Sequence, residues 1–287
     1  MMEQPPKEEG NKKEHSVHFT RHSKAGYKTY VEISKSNNPQ QAVNPEEQIT
    51  PDLLEKGIEM AQKAAEKFFD GLNPETDFLF FGSSNEARAL ETADIYRQVA
   101  LERGFNVIRP EHVRGKLAEE IGGGDIRVIE NLSLNIDNNL IGMVFNPKSN
   151  VGEINWDAVD EETKKRWVQA RAIIDADDKG SWGANSFYHS AEIKKIFPEI
   201  ESAEDKYNRK FKNLTRLARF GIEKAKESGI KGNVKILAFG HEDYIGYALD
   251  KYFSDHEIAN CETISIKTGE DNSLTIERRG EKKKINN

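Results

Sequence analysis

Phe19-Thr20-Arg21-His22-Ser23-Lys24-Ala25 is the stretch from which the fold of this chain is read. The residues leading into it, Ser16-Val17-His18-Phe19-Thr20, alternate polar and apolar as a short strand does, so the chain leaves a sheet where Arg21 and His22 appear. Open α/β sheets build their sites at the carboxyl ends of their strands. A histidine there can act as nucleophile or general base, and a neighbouring guanidinium offers a planar fork of donors that fits a phosphate. Taken alone, an Arg-His dipeptide is read more readily as structural or surface than as catalytic, so the other strand ends must decide.

Two of them carry complementary chemistry. Asp77-Phe78-Leu79-Phe80-Phe81 is an apolar run that passes through Gly82-Ser83-Ser84-Asn85-Glu86 into Ala87-Arg88-Ala89-Leu90-Glu91-Thr92-Ala93. Ser83 and Glu86 have capping-box spacing, which starts a helix here and leaves Arg88 in or near its first turn. The unpaired N–H groups and positive dipole end of that helix would join Arg88 in favouring an anion. Val234-Lys235-Ile236-Leu237-Ala238-Phe239-Gly240-His241-Glu242-Asp243 is a third strand that ends on a small residue and then a histidine.

In order and separation these motifs resemble the histidine phosphatase superfamily, the phosphoglycerate mutase-like proteins. There an Arg-His motif follows the first strand, a Ser-Ser-x-x-x-Arg-Ala-x-x-Thr-Ala-like motif the second, and a strand-Gly-His motif lies near the C-terminus. The resemblance covers roughly residues 16 to 280, with the middle poorly matched. It implies a three-layer α/β/α sandwich with a mostly parallel central sheet and an inserted cap. It also implies that His22 becomes phosphohistidine and that Arg21, Arg88 and His241 form the phosphate pocket, with Lys24 and Ser84 as further substrate contacts.

Such chemistry needs these residue types. Phosphoryl oxygens repel a nucleophile, so cationic donors must be in place before an imidazole attacks in line. His22 must be neutral at the attacking nitrogen, its other nitrogen held by a carbonyl or similar acceptor. No metal or cofactor is expected. The leaving oxygen needs a proton, and here the chain departs from the simplest pattern. Leu117-Ala118-Glu119-Glu120 fits one branch of the family, yet Asp125 to Leu132 reads better as the strand, and His241 is followed directly by Glu242, as in the acid-phosphatase branch. Glu242 is the first candidate for general acid and Glu119 the second. The implied activity is hydrolysis of a phosphomonoester, on a small phosphorylated metabolite or a phosphoprotein. A mutase and a catalytically silent phosphate-binding module are the alternatives.

Composition agrees with an enzyme of this kind. A chain of 287 residues can bury a substantial core, and the insertion between motifs suggests one catalytic domain, residues 15–280, with a cap at about 139–198. At 36% hydrophobic and 32% charged, with net charge −7, it offers nucleic acid no general attraction, and no nucleic-acid partner is expected. Cys261 is the single cysteine, so no intramolecular disulfide can form. Met1 to Glu14 is a charged segment with Pro5-Pro6, expected to be a disordered tail and not a signal core. No later run is long enough to span a bilayer, so a cytoplasmic location without membrane association is expected. The run Arg278-Arg279-Gly280-Glu281-Lys282-Lys283-Lys284, which leads into a basic C-terminal tail at 281–287, reads as a solvated, frayed end of the chain.

Between the motifs, Ser34 to Asn44 reads as a loop. Thr50-Pro51-Asp52 predicts a helix start with proline at its first position, with Leu53, Leu54, Gly57, Ile58, Ala61, Ala64, Ala65 and Phe68 on its apolar face and its end near Gly71. A second helix is expected over about 85–102. The cap concentrates Trp156, Trp167, Trp182, Phe187 and Tyr188, with Arg171, Lys179 and His189 as polar company; a local aromatic core is the simpler reading. Asp175 to Asp178 lacks calcium-loop spacing, Gly122-Gly123-Gly124 lacks that of a phosphate loop, and His15, His18, His112 and His256 show no metal-ligand pattern. Helices are expected over 205–227 and 244–253, and a terminal hairpin over 263–276.

Overall fold

The three predicted strands lie side by side and run the same way. In the computed structural model, which describes residues 14–25, 53–84, 87–108, 126–128, 160–176, 190–198, 207–211, 214–215, 229–255, 257–269 and 273–285, β1 (Ser16–Arg21) pairs in parallel with Asn233–Gly240. That strand in turn pairs in parallel with β2 (Asp77–Ser83). In chain order come β1, α1 (Glu55–Phe69), β2, α2 (Ala87–Glu102), β3 (Asn106–Val107), β4 (Ile126–Val128), α3 (Glu161–Asp175), α4 (Ser190–Ile196), a π-helical turn (Tyr207–Phe211), β5 (Asn233–Gly240), α5 (Glu242–Phe253), β6 (Thr263–Thr268), β7 (Leu274–Arg278) and β8 (Glu281–Ile285). The eight-stranded sheet has the order β3-β2-β5-β1-β6-β7-β8, with β4 on the same edge of β2 as β3. The half from β3 to β1 is parallel; β6, β7 and β8 follow as an antiparallel meander.

Strand alternation sorts the core into two faces. Leu79, Phe81, Leu237 and Phe239 point to α1 and α2, where they meet Ala65, Phe69, Ala89, Ala93 and Tyr96. Val17, Phe19, Phe80, Ile236 and Ala238 point the other way, onto Ile245, Ala248 and Leu249 of α5 and onto Tyr207, Phe211 and Leu214. Helices therefore cover both faces of the sheet in a three-layer α/β/α arrangement, as the parallel strands require.

Several boundaries differ from the expected ones. α1 begins at Glu55, later than the start expected from Thr50-Pro51-Asp52, because Leu53 is drawn into a bridge with Ala25 and its N–H is held by Glu91 Oε2 at 2.7 Å. Its buried stripe is Gly57, Ala61, Ala65 and Phe69, while Ile58 is 40% exposed. Ser83 does not cap α2, since it is the last residue of β2, opposite Phe239 in β5. α5 begins at Glu242, two residues before the expected start. The described part of the 205–227 segment opens as a π-helical turn, with Tyr207 and Phe211 stacked at 5.0 Å.

The largest correction concerns the C-terminus. Glu281–Ile285 is a paired edge strand with Ile285 buried, not a solvated tail, and its row of lysines suits an edge that must not recruit another strand. At the other end, Glu14 is anchored: its N–H donates to Asn233 Oδ1 at 2.9 Å and its carboxylate pairs with Lys267 at 3.2 Å. Residues 1–13, the 34–44 loop, Glu86, Glu119, the 122–124 glycines, His112, His256 and most of the cap, including Trp156, Trp182, Phe187, Tyr188, Lys179 and His189, lie outside the described residues. Within the cap span α3 and α4 pack together, with the Arg166 guanidinium 4.3 Å from the centre of the Phe197 ring and its Nε on the Ile196 carbonyl at 2.7 Å. Trp167 and Arg171 are residues of α3. Among the described residues no helix is long and apolar enough to cross a membrane.

His15 and His18 are framework residues. His15 Nδ1 accepts the Val234 N–H at 3.0 Å. His18 lies between Ser16 Oγ at 2.7 Å and Ser265 Oγ at 2.8 Å, with Phe68 edge-on at 5.0 Å. Burial first, then the charges of Lys235 and Lys267, pushes its pKa down to about 3. An unfolded histidine titrates near 6.5, so between the two values the unfolded state binds the extra proton and stability falls as pH falls; above 6.5 this group adds no slope. Urea unfolding between pH 6.5 and 3 should show that slope, up to about 1.4 kcal/mol per pH unit for this one group, and His18→Gln should flatten it. An unchanged slope in the variant would assign the acid sensitivity elsewhere.

Candidate active site

Parallel pairing puts three strand ends at one level. Arg21 stands opposite Gly240, and Ser83 opposite Phe239, so Arg21-His22, Ser84 and His241 emerge together at the carboxyl edge of the sheet. There β2 and β5 both feed helices, and Arg88 is the second residue of α2 while His241 is the N-cap of α5. Two helix N-termini therefore add their partial positive charge near the guanidinium groups, an arrangement suited to an anion.

His22 is 3% exposed and its surroundings are specific. Its Nδ1 lies 2.6 Å from the Ser23 carbonyl, which can only accept, so Nδ1 carries the hydrogen and the lone pair of the neutral ring is on Nε2. Burial, then the Arg88 charge, then that of Arg21, hold its pKa well below the ordinary histidine value against the opposing Ser23 hydrogen bond. The ring is thus neutral at physiological pH. His241 faces it with ring centroids 5.1 Å apart, and His241 Nε2 lies 2.9 Å from Ser84 Oγ. Arg88 is 8% exposed.

Among the described residues the Arg21 guanidinium is held at both ends: Nη1 donates to the Ile258 carbonyl at 2.5 Å and Nη2 pairs with Glu242 Oε2 at 3.0 Å. Glu242, the first residue of α5, is therefore beside the cluster. Lys24 is different. It is exposed, and it is its carbonyl, accepting the Leu54 N–H at 3.1 Å, that docks the turn on the start of α1. Ser84 contributes through His241 and through its N–H, which donates to the Phe239 carbonyl at 3.0 Å.

The structure thus brings together Arg21, His22, Ser84, Arg88, His241 and Glu242, leaves Lys24 at the surface, and does not describe Glu119. Sequence reasoning missed the groups that hold the cluster from behind. Thr92 Oγ1 accepts the Ser23 N–H at 3.0 Å and donates to the Arg88 carbonyl at 2.6 Å, so one hydroxyl ties the His22 turn to the Arg88 turn. Its place in the second motif was a signal for it. Asn260, whose Nδ2 donates to the His22 carbonyl at 2.8 Å from 238 residues away, had no local signal. Cys261 is buried beside it and burial raises its thiol pKa. Among the described residues no three His, Cys, Asp or Glu side chains group as metal ligands would.

No protein-family model matches this sequence, and no curated protein matches it. Among solved structures, a phosphoglycerate mutase from Bacillus anthracis str. Sterne is similar over 94% of this chain and 94% of its own, at 14% identity and a TM-score of 0.45. A Bifidobacterium longum multiple inositol polyphosphate phosphatase in complex with inositol hexasulfate is similar over 98% of this chain and 88% of its own, at 10% identity and a TM-score of 0.47. An Entamoeba histolytica phosphoserine phosphatase mutant in complex with phosphoserine is similar over 95% of each chain, at 11% identity and a TM-score of 0.38. The site is accordingly read from its own geometry.

Proposed function

We propose that this chain is a phosphomonoester hydrolase that works through a phosphohistidine on His22, without a metal, on a small phosphorylated metabolite or a phosphoprotein. The observation that carries the reading is the state of His22: a neutral ring with Nδ1–H on the Ser23 carbonyl and Arg88 and Arg21 as its charged company. A general structural histidine has no need of that company; a nucleophile aimed at a phosphoryl group does.

In the first half-reaction Nε2 of His22 attacks phosphorus in line while Arg21 and Arg88 hold the equatorial oxygens, with His241 as a third donor. The bond from phosphorus to the ester oxygen breaks, and Glu242 gives that oxygen its proton. In the second, water attacks the phosphohistidine, the bond from phosphorus to nitrogen breaks, and the Glu242 carboxylate takes the proton from water. Two easier displacements replace one hard one. Before substrate arrives Glu242 is paired with Arg21. A phosphate dianion competes for that guanidinium, and losing its cation favours the protonated form of Glu242 that the first step needs.

Wild-type protein in EDTA should hydrolyse p-nitrophenyl phosphate and take up one label from a phosphorus-labelled ester, detected after an alkaline detergent quench because the phosphohistidine bond is acid-labile. Glu242→Gln should lose alkyl phosphate hydrolysis by about 100-fold; with p-nitrophenyl phosphate, whose leaving group needs no proton, it should spare the first step and slow the second, so that label accumulates on the protein. Dependence on added metal, or the absence of label, would overturn the reading. The Arg21–Glu242 pair also favours a second one, a silent phosphate-binding module in which the pair never opens; tight phosphate binding without turnover would identify it.

A further inference from the structure

Arg278 belongs by sequence to a basic run expected at the surface, yet it is 3% exposed. Among the described residues the bonds of its guanidinium all go to one loop, the segment from Ser254 to Glu262 that joins α5 to β6. Nε pairs with Glu262 Oε1 at 2.9 Å, Nη1 reaches the Asp255 carbonyl at 2.9 Å and the Asp255 carboxylate at 3.0 Å, and Nη2 donates to the Glu257 carbonyl. Glu262 is tied in turn to Ala259 N at 2.8 Å and to Arg279 at 2.8 Å. A planar guanidinium with its donors spread over three residues of a loop fixes that loop more rigidly than a flexible ammonium could.

The inner side of the same loop is the back wall of the Arg21-His22 turn. Cys261 N–H donates to the Arg21 carbonyl at 3.0 Å, Arg21 N–H to the Glu262 carbonyl at 3.2 Å, and Asn260 Nδ2 to the His22 carbonyl at 2.8 Å. Taken peptide by peptide, the bond between 21 and 22 is held by Cys261 at its carbonyl and by the Gly240 carbonyl at its N–H, 2.9 Å away. The bond between 22 and 23 is held by Asn260 at its carbonyl and by Thr92 at its N–H. The next carbonyl, that of Ser23, is the one that takes His22 Nδ1–H. A change in the backbone torsions on either side of the 22–23 peptide would shift the imidazole relative to that carbonyl, and Asn260 opposes it at the His22 carbonyl as Thr92 of α2 does at the Ser23 N–H.

We propose that Asn260 is a positioning residue for the His22 imidazole, held in place by the clamp of Arg278 and Glu262 across the loop. It acts through the turn and touches no substrate. The proposal builds on the phosphohistidine reading, since it concerns how that nucleophile is aimed.

The test uses the full chain with Asn260→Ala, Asn260→Asp and Arg278→Lys, comparing kcat and KM for p-nitrophenyl phosphate with the imidazole 15N signals of His22 followed through a pH titration. For Asn260→Ala, kcat should fall about tenfold or more while KM stays within about twofold, because aim is lost and not binding. The Nδ1–H tautomer should give way to a mixture. Asn260→Asp replaces the Nδ2 donor with a carboxylate that cannot donate to the His22 carbonyl, so it should lower kcat and mix the tautomer as Asn260→Ala does, a change in the ring signals that a merely structural asparagine would not produce. Arg278→Lys should move kcat and the tautomer in the same direction as Asn260→Ala. Wild-type kcat and wild-type His22 signals in Asn260→Ala would overturn the proposal, and an Arg278→Lys protein that loses only thermal stability would overturn the clamp. If the wild type neither turns over ester nor takes label, the phosphatase reading fails while the tautomer signals still decide the role of Asn260.

Discussion

Replacing His22 with alanine should lower hydrolysis of p-nitrophenyl phosphate by about four orders of magnitude and abolish labelling of the protein, while phosphate still binds with little change. The separation of binding from chemistry follows from the arrangement. Arg88 and His241 are placed by α2 and α5 and are not carried by the His22 turn, so removing the ring leaves the cationic hollow standing. Turnover by a general base acting on water would survive at a much higher level, because Glu242 would still be present to serve it. The experiment is the variant's kcat together with alkaline-quench labelling and phosphate titration. A variant that keeps one-tenth of wild-type activity would remove His22 from the reaction.

A single methyl group on α1 should be the next most damaging change. A Cβ at Gly57 would stand 2.1 Å from the Lys24 carbonyl oxygen and 3.0 Å from its carbon, both backbone atoms. Neither can swing aside, because that carbonyl accepts the Leu54 N–H at 3.1 Å and Ser23 Oγ donates to the Gly57 carbonyl at 2.6 Å. Gly57→Ala must push the Ser23-Lys24 turn off the helix, and with it the carbonyl that sets the His22 tautomer. The expected result is a loss of about 1–3 kcal/mol in urea unfolding and about 100-fold in kcat. Ile58→Ala, at an exposed position on the same helix, should change neither by comparison. Wild-type kcat in Gly57→Ala would show that the turn is free to relax.

The strands around the three motifs were legible because each is an apolar run bounded by small and polar residues, and strand alternation is a local property of the chain. Helix starts were less so. Thr50-Pro51-Asp52 has good local capping chemistry, but Leu53 gains a bridge to Ala25 and a bond from Glu91, contacts that the local sequence cannot contain. Ser83 likewise has capping spacing and is claimed by β2. At the C-terminus a run of charges suggested solvent; four exposed charged residues ending in the buried Ile285 form an edge strand once β7 is there to pair with.

What the residues determined alone was chemical kind: imidazole and guanidinium groups at the ends of three strands, and a carboxylic acid directly after the last. Only the tertiary structure decided their relation. Parallel register brought those ends to one level, burial with Arg88 made His22 neutral, and a loop more than 200 residues downstream, held by a buried Arg278, closed the back of the turn. Local sequence encodes which conformations and charges a segment can offer, whereas hydrogen bonds between distant segments exist only after the chain has folded, and it is those bonds that orient the ring.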